Sequence, residues 1–518
     1  MGGESERGPA DERSPSKVNI SPAAGKALLP RAAATLLVIL LAGLGLRLYR
    51  LTWQGVWDNE AFSLTVSHLP FHEMTARIVK DVVHPPLHYY LLHVVFREFG
   101  FGDFQARLVS AVFGTITVGV VFLLGQYLFD TSTGLLASML MAVSQLGIMY
   151  SQEARPYAMA GCFSAFAIYF FCIAWCERRW LAWCGFIAFA ILMLYTQYFT
   201  GLLLACLFFY SIAQRKHVGI PALWWLVAAI MVVIAFTPWL TTGIIQSALG
   251  SPKTSFKSQP FWFAVDRLTY IRDLNAFNNG NFDNLINFRS FGRLRLVAGG
   301  LLFSMPTFLA LRPLVSRGPA PTGRFPEGQS LALLAILWIA PHLVLIAIGF
   351  GGMQYHVRYA LFCTVPYYVL AARGITTIPV PAVRAVWVIG IILFSSFALR
   401  ANYFRPYKEN YRDALLHIAS AQQPGDCMVL FPDPKAELPS WEWAVYLPSR
   451  TPPRVISPDT IASDAGDCGR MWFLAGQVFP TDADKLHQLE RKLPTFFTKT
   501  EDQHYFWVST SLFTRQLH

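Results

Sequence analysis

WQGVWDNEAFSL (Trp53–Leu64), FHEMTARIVKDVVH (Phe71–His84) and HPPLHYYLLH (His84–His93) form one stretch that follows directly on the first long apolar run. The chain therefore leaves a bilayer at Trp53. Trp53 and Trp57 are suited to the headgroup zone, which places Asp58 and Glu60 just outside the hydrocarbon. Phe71, Met74, Ile78 and Val82 recur at spacings of three and four, the pattern of a short helix lying along the membrane surface over 71–83. Pro85 and Pro86 suit a sharp turn into the next helix, because proline fits a first helical turn. Two carboxylates beside a surface helix, facing a lipid-lined cleft, are the expected result.

Outward from this stretch the chain is apolar. Of 518 residues, 54% are hydrophobic and 14% charged, against about 25% charged in soluble domains. Runs long enough to cross a bilayer recur through most of the first 400 residues, near 32–51, 104–128, 133–150, 157–176, 180–197, 199–213, 221–245, 295–311, 329–350, 357–372 and 383–399, with a shorter one at 85–99. Arg178 and Arg179, Arg215 and Lys216, Arg312 through Arg324, and Arg373 mark alternate loops as cytoplasmic. The loop 52–84, the turns near 151–156 and 351–358, the long loop 246–292 and everything after about 400 then share the opposite face. That parity holds if the run at 85–99 does not cross. The expected fold is a polytopic α-helical membrane protein of about 11–13 transmembrane helices, 11 favoured, with a small C-terminal α/β extracytoplasmic domain.

The expected organisation is a disordered cytoplasmic tail over 1–31, a membrane domain over 32–400 and a soluble domain over 401–518. In the last, NYRDALLHIASAQ and DADKLHQLERKL have helical periodicity, while CMVLF, RMWFLAG and HYFWVST read as strands. Six cysteines fall in apolar runs as small hydrophobes; Cys427 and Cys468, in the polar region, are available to pair if that region lies outside the cytoplasm. The net charge of +11 sits mostly in short loops, a mark of topology and lipid headgroup contact, and nucleic acid is not an expected partner. The membrane runs carry almost no charge in their cores, which argues against an ion-coupled carrier.

Four groups of residues could carry chemistry. Asp58 and Glu60 could deprotonate an acceptor hydroxyl, or instead hold a divalent cation. His84 and His88, with Lys80 one turn earlier, could contact a phosphate. Glu153, Arg155 and Tyr157 lie in the turn SQEARPYAMAG, and His356 and Arg358 in GMQYHVRYA; converging arginines on that face would clamp a lipid-linked phosphate. Arg107 reads as an anchor at the end of a helix. The aromatic and basic loop 246–292 is long enough for a binding loop.

Assembled in order, WDNEA (57–61), HPPLHYY (84–90), RLVSAVFG (107–114), YSQEARPYA (150–158) and VRYA (357–360) resemble the motifs of the GT-C superfamily of membrane glycosyltransferases, in the branch of the protein O-mannosyltransferases and the lipid A aminoarabinose transferase. The resemblance covers about the first 400 residues. It implies transfer of one sugar from a polyprenyl-phosphate donor to a glycan, lipid or protein acceptor on the non-cytoplasmic face, with no required cofactor. It implies that the acidic pair supplies the base and that the residue before Pro-Pro and the later arginines hold the donor phosphate. The family pairs Asp with Glu directly, whereas this chain has Asn59 where that Asp would stand, with Asp58 one residue earlier. Either Asp58 takes the role through a local shift, or Glu60 does, or activity is altered. A lipid-linked-saccharide flippase and a non-catalytic relative are the alternatives.

Overall fold

The computed structural model describes residues 22–81, 83–218, 222–245, 298–315, 326–350 and 356–431, and of the C-terminal region 438–458, 460–476, 483–491, 493 and 496–516. Most of the expected tail 1–31 and the long loop 246–292 lie outside them.

The apolar runs fold as helices. Six described helices are long and apolar enough to cross a membrane, and a bent pair makes a seventh; three further apolar helices have 10–17 residues. The sequence count of about 11 treated such short runs as full crossings. α1 (Pro22–Leu48), α2 (Asp58–His68), α3 (Phe71–Asp81) and α4 (Leu87–Phe99) lead into α5 (Asp103–Leu128). The 13-residue α4 is too short to span, in line with the parity argument.

The run at 133–150 is not one helix. It is split into α6 (Thr131–Ala142) and α7 (Gln145–Ser151), which meet at a bend of 58°. Backbone groups freed at such a break need partners inside the bilayer. Ser144 caps α7 by accepting from the Gly147 amide at 3.0 Å, and Arg47 of α1 donates to the carbonyls of Ala142 and Met141, both at 3.2 Å. α5 and α6 cross closely: a Cβ on Gly125 would stand 2.8 Å from the Cα of Gly134, so only glycine fits there.

α8 (Tyr157–Glu177), α9 (Trp180–Leu194), α10 (Gly201–Val218) and α11 (Ala222–Trp239) continue the membrane body, followed by α12 (Met305–Val315) and α13 (Glu327–Phe350). The run expected at 357–372 begins as a 3-10 turn over Val357–Cys363 and becomes α14 (Thr364–Thr376). α15 (Pro381–Phe404) is the last long apolar helix.

Beyond it α16 (Tyr411–Ala421) and α17 (Leu438–Tyr446) pack near a five-stranded sheet. The strands are β1 (Asp426–Phe431), β2 (Arg454–Ile456), β3 (Arg470–Gly476), β4 (Phe497–Tyr505) and β5 (Val508–Arg515), in the order β2-β1-β3-β5-β4. β1 runs parallel to β2 and β3, and β5 lies antiparallel between β3 and β4. HYFWVST is therefore not a single strand but the turn of the β4–β5 hairpin, with Trp507 at φ 59°. Cys427 and Cys468 form a disulfide that ties β1 to the segment before β3.

Candidate active site

Asp58 and Glu60 stand not in a loop but in the first turn of α2, which Trp57 caps in extended conformation. Their fates differ. The Glu60 carboxylate turns inward and is fully buried, meeting Arg107 Nε at 2.9 Å, Arg107 Nη2 at 2.8 Å, the Ala154 amide at 2.8 Å and Lys408 Nζ at 2.7 Å. Burial alone would raise its pKa, but the Arg107 and Lys408 charges and their hydrogen bonds hold it well below the ordinary carboxylate range. Arg107 also donates to the carbonyls of Leu51, Gln54 and Gly55, so it pins the loop before α2 as well as Glu60. Its role is larger than the helix-end anchor expected.

Asp58 is half-buried, and its Oδ1 is shielded from solvent without a hydrogen-bond donor. Burial raises its pKa, opposed by its own backbone and by the neighbouring Glu442 carboxyl. Glu442 comes from α17, which packs on α2: Trp441 meets the Phe62 ring at 5.1 Å, and the Val56 amide donates to the Tyr446 hydroxyl. The C-terminal region thus shares the face of the 52–84 loop and completes its site.

One residue along α2, the Asn59 carbonyl accepts from Arg155 Nη1 at 2.8 Å, and the same nitrogen reaches Ser63 Oγ at 2.9 Å. Arg155 and Arg358 both approach the Tyr157 ring, at 5.9 and 6.0 Å from its centroid. His84 meets that ring edge-on at 5.8 Å. The Nε atoms of Arg155 and Arg358 and both ring nitrogens of His88 are buried without hydrogen-bond partners. Burial and then the charge of Arg155 lower both histidines, His84 well below its ordinary value and His88 to about 3, so both imidazoles are neutral. His356, beside Arg358, is lowered to about 4 by burial first and by that arginine second. Glu153 is buried next to Lys408, Glu60 and the two arginines, and burial raises its pKa. The structure thus brings His84, His88, Glu153, Arg155, Tyr157, His356 and Arg358 together. Lys80 stands exposed on α3, outside this cluster.

Two guanidiniums that share one aromatic ring, with donor atoms left over and neutral imidazoles beside them, suit an oxyanion such as a phosphate. Among the described residues no three His, Cys, Asp or Glu side chains converge as a metal site. Sequence reading missed Lys408, Glu409 and Glu442. They carry no motif and reach the site only through the packing of the C-terminal region.

No curated protein matches this chain in sequence. The family described as dolichyl-phosphate-mannose-protein mannosyltransferase matches residues 83–241. Among solved structures, ArnT from Cupriavidus metallidurans bound to undecaprenyl phosphate superposes with TM-score 0.54 at 15% identity, over 95% of this chain and 98% of that one. Archaeal oligosaccharyltransferase AglB from Archaeoglobus fulgidus, in complex with an inhibitory peptide and a dolichol-phosphate, superposes with TM-score 0.52 at 12% identity, over 89% and 71%. The same oligosaccharyltransferase in complex with Zn and sulfate gives TM-score 0.51 at 12% identity, over 89% and 71%. The fold is that of the GT-C superfamily of membrane glycosyltransferases, and the chain is a multi-pass membrane protein.

Proposed function

We propose that this protein transfers a single sugar from a polyprenyl-phosphate donor to a hydroxyl of a glycan, lipid or protein acceptor. The observation that carries the reading is a step of one residue. Asp58, a half-buried carboxyl with an oxygen that no donor reaches, adjoins Asn59, whose carbonyl holds one arginine of the phosphate-sized cluster. In this arrangement Asp58 takes the acceptor proton as the acceptor oxygen bonds to the sugar's anomeric carbon. The bond from that carbon to the phosphate oxygen breaks, and the polyprenyl phosphate leaves as an anion against Arg155 and Arg358, with His84 and His88 able to donate N–H. A single displacement of this kind inverts the anomeric centre. Glu60, saturated by Arg107, Lys408 and an amide, is a structural carboxylate in this account; Asn59 displaces the base by one position without removing it.

The reaction face is the non-cytoplasmic one of a cell membrane, with the N-terminus cytoplasmic. The basic loops at Arg178–Arg179 and Arg215–Lys216 support this, as does the Cys427–Cys468 disulfide, a bond that persists in oxidising compartments. We also place the domain boundary near residue 400, with 401–518 as the domain that covers the site. The test is purified protein in lipid vesicles supplied with radiolabelled polyprenyl-phosphate sugars and a membrane-glycan extract. Label passing to an acceptor supports the reading. Labelled lipid that crosses the bilayer with no transfer would replace it with a flippase.

A further inference from the structure

Glu442 is 0% exposed, and neither of its carboxylate oxygens accepts a hydrogen bond. Its helix packs on α2 and on α16, Asp58 is the side chain that acts on it most strongly, and Glu409 and Tyr411, around the start of α16, also bear on the pair. Among the described residues, no lysine or arginine bonds to Glu442 as Arg107 and Lys408 bond to Glu60. An ionised carboxylate buried without a cation or a donor is far costlier than a neutral one. Two carboxyls in contact therefore hold one proton between them. Position decides which carboxyl keeps it. Asp58 sits in the first turn of α2, where the helix dipole favours negative charge, and it is partly open to solvent. Glu442 lies mid-helix and is sealed.

We propose that Glu442, delivered by the C-terminal region, is a positioning residue that stays protonated and donates its hydrogen to the Asp58 carboxylate, fixing the orientation and basicity of that base. The proton it carries is not consumed. The acceptor's proton goes to the free oxygen of Asp58, and the pair is neutral until product leaves and that proton returns to solvent. Burial drives the Glu442 pKa well above the ordinary carboxylate range and the Asp58 charge raises it further, which agrees with this assignment. The C-terminal region then does more than cover the site: without it the base is misaligned.

This inference rests on Asp58 as base, and its test separates the two. Infrared difference spectra of the intact protein in lipid, which need no substrate, should show a protonated carboxyl at neutral pH. That band should vanish in Glu442→Gln and shift in Asp58→Asn; the second behaviour distinguishes it from buried Glu153. In turnover, Glu442→Ala should lose about 10- to 100-fold in kcat with donor KM unchanged. Its acidic limb should move to higher pH, because Asp58 loses the donor that stabilises its charge. Glu442→Gln, whose amide can still donate, should recover most of that loss. The proposal is overturned if the carboxyl band survives Glu442→Gln, if Glu442→Ala leaves the pH profile in place, or if Glu442→Gln is as inactive as Asp58→Asn, which would make Glu442 the base. An Asp58→Asn variant with normal turnover removes the proposed base while leaving the infrared pair to stand or fall by itself.

Discussion

Replacing Glu60 with glutamine separates a structural carboxylate from a catalytic one. Glu60 holds Arg107 and Lys408, whose side chains are 1% and 2% exposed, through contacts of 2.7–2.9 Å. Glutamine keeps the shape but offers one acceptor oxygen, and it points an NH2 group at donors. Both cations then lose the carboxylate that bonds them, and Lys408 keeps only the neighbouring Glu153. Removing one member of a buried ion pair costs about 3–5 kcal/mol, and here two cations depend on the same carboxylate. For a chain of this size that is a fall in apparent Tm of about 3–5 °C. The assay is tryptophan fluorescence during thermal unfolding of protein in nanodiscs. A second variant, Glu60→Gln with Lys408→Met, removes one stranded cation and should recover part of the loss, giving a coupling of about 0.5–3 kcal/mol in the double-mutant cycle. Unchanged thermal stability together with complete loss of turnover in Glu60→Gln would refute the reasoning and make Glu60 the base.

Three further outcomes follow from the same geometry. Arg155→Met and Arg358→Met should each weaken polyprenyl-phosphate binding about 10- to 100-fold by titration in detergent, and lysine at either position should restore it only in part, since it lacks the bidentate fork. His88 has a folded pKa lowered to about 3 against an unfolded value near 6.5. Its contribution to stability is therefore present above pH 6.5 and is lost as pH falls below that value, by about 2 kcal/mol at pH 5; His88→Asn should flatten this part of the pH–Tm curve. Reducing the Cys427–Cys468 disulfide, which closes a separation of 41 residues, should cost the C-terminal region about 4 kcal/mol, read as earlier proteolysis of that region under dithiothreitol.

Much of the membrane body was legible because burial in lipid leaves a local signature. The apolar runs at 104–128, 157–176 and 383–399 became α5, α8 and α15 with ends displaced by few residues. CMVLF and RMWFLAG became β1 and β3 for the same reason: each is a short apolar run that packs on both faces. The break between α6 and α7 was not legible. Val143 and Ser144 carry no proline or glycine, and the groups that make the bend tolerable, Arg47 and Tyr368, come from other helices. The site divides along the same line. His84, Arg155 and Arg358 announced themselves by standing at membrane boundaries in motif order. Lys408 lies 348 residues from Glu60, and Glu442 sits in a helix with no motif; nothing short of the fold brings either to α2. Glu60 looked like a candidate base because a sequence does not show that Arg107 and Lys408 have already taken its charge.

The central claim is that Asp58 is the base beside an arginine-held phosphate, and the most direct test is a split between binding and chemistry in Asp58→Asn. Binding of the polyprenyl-phosphate sugar by calorimetry and single-turnover transfer would be measured on the same preparation. The account predicts donor affinity within about twofold of wild type and transfer slowed by about 10²- to 10⁴-fold. Transfer at the wild-type rate, or affinity and rate lost together, would contradict it.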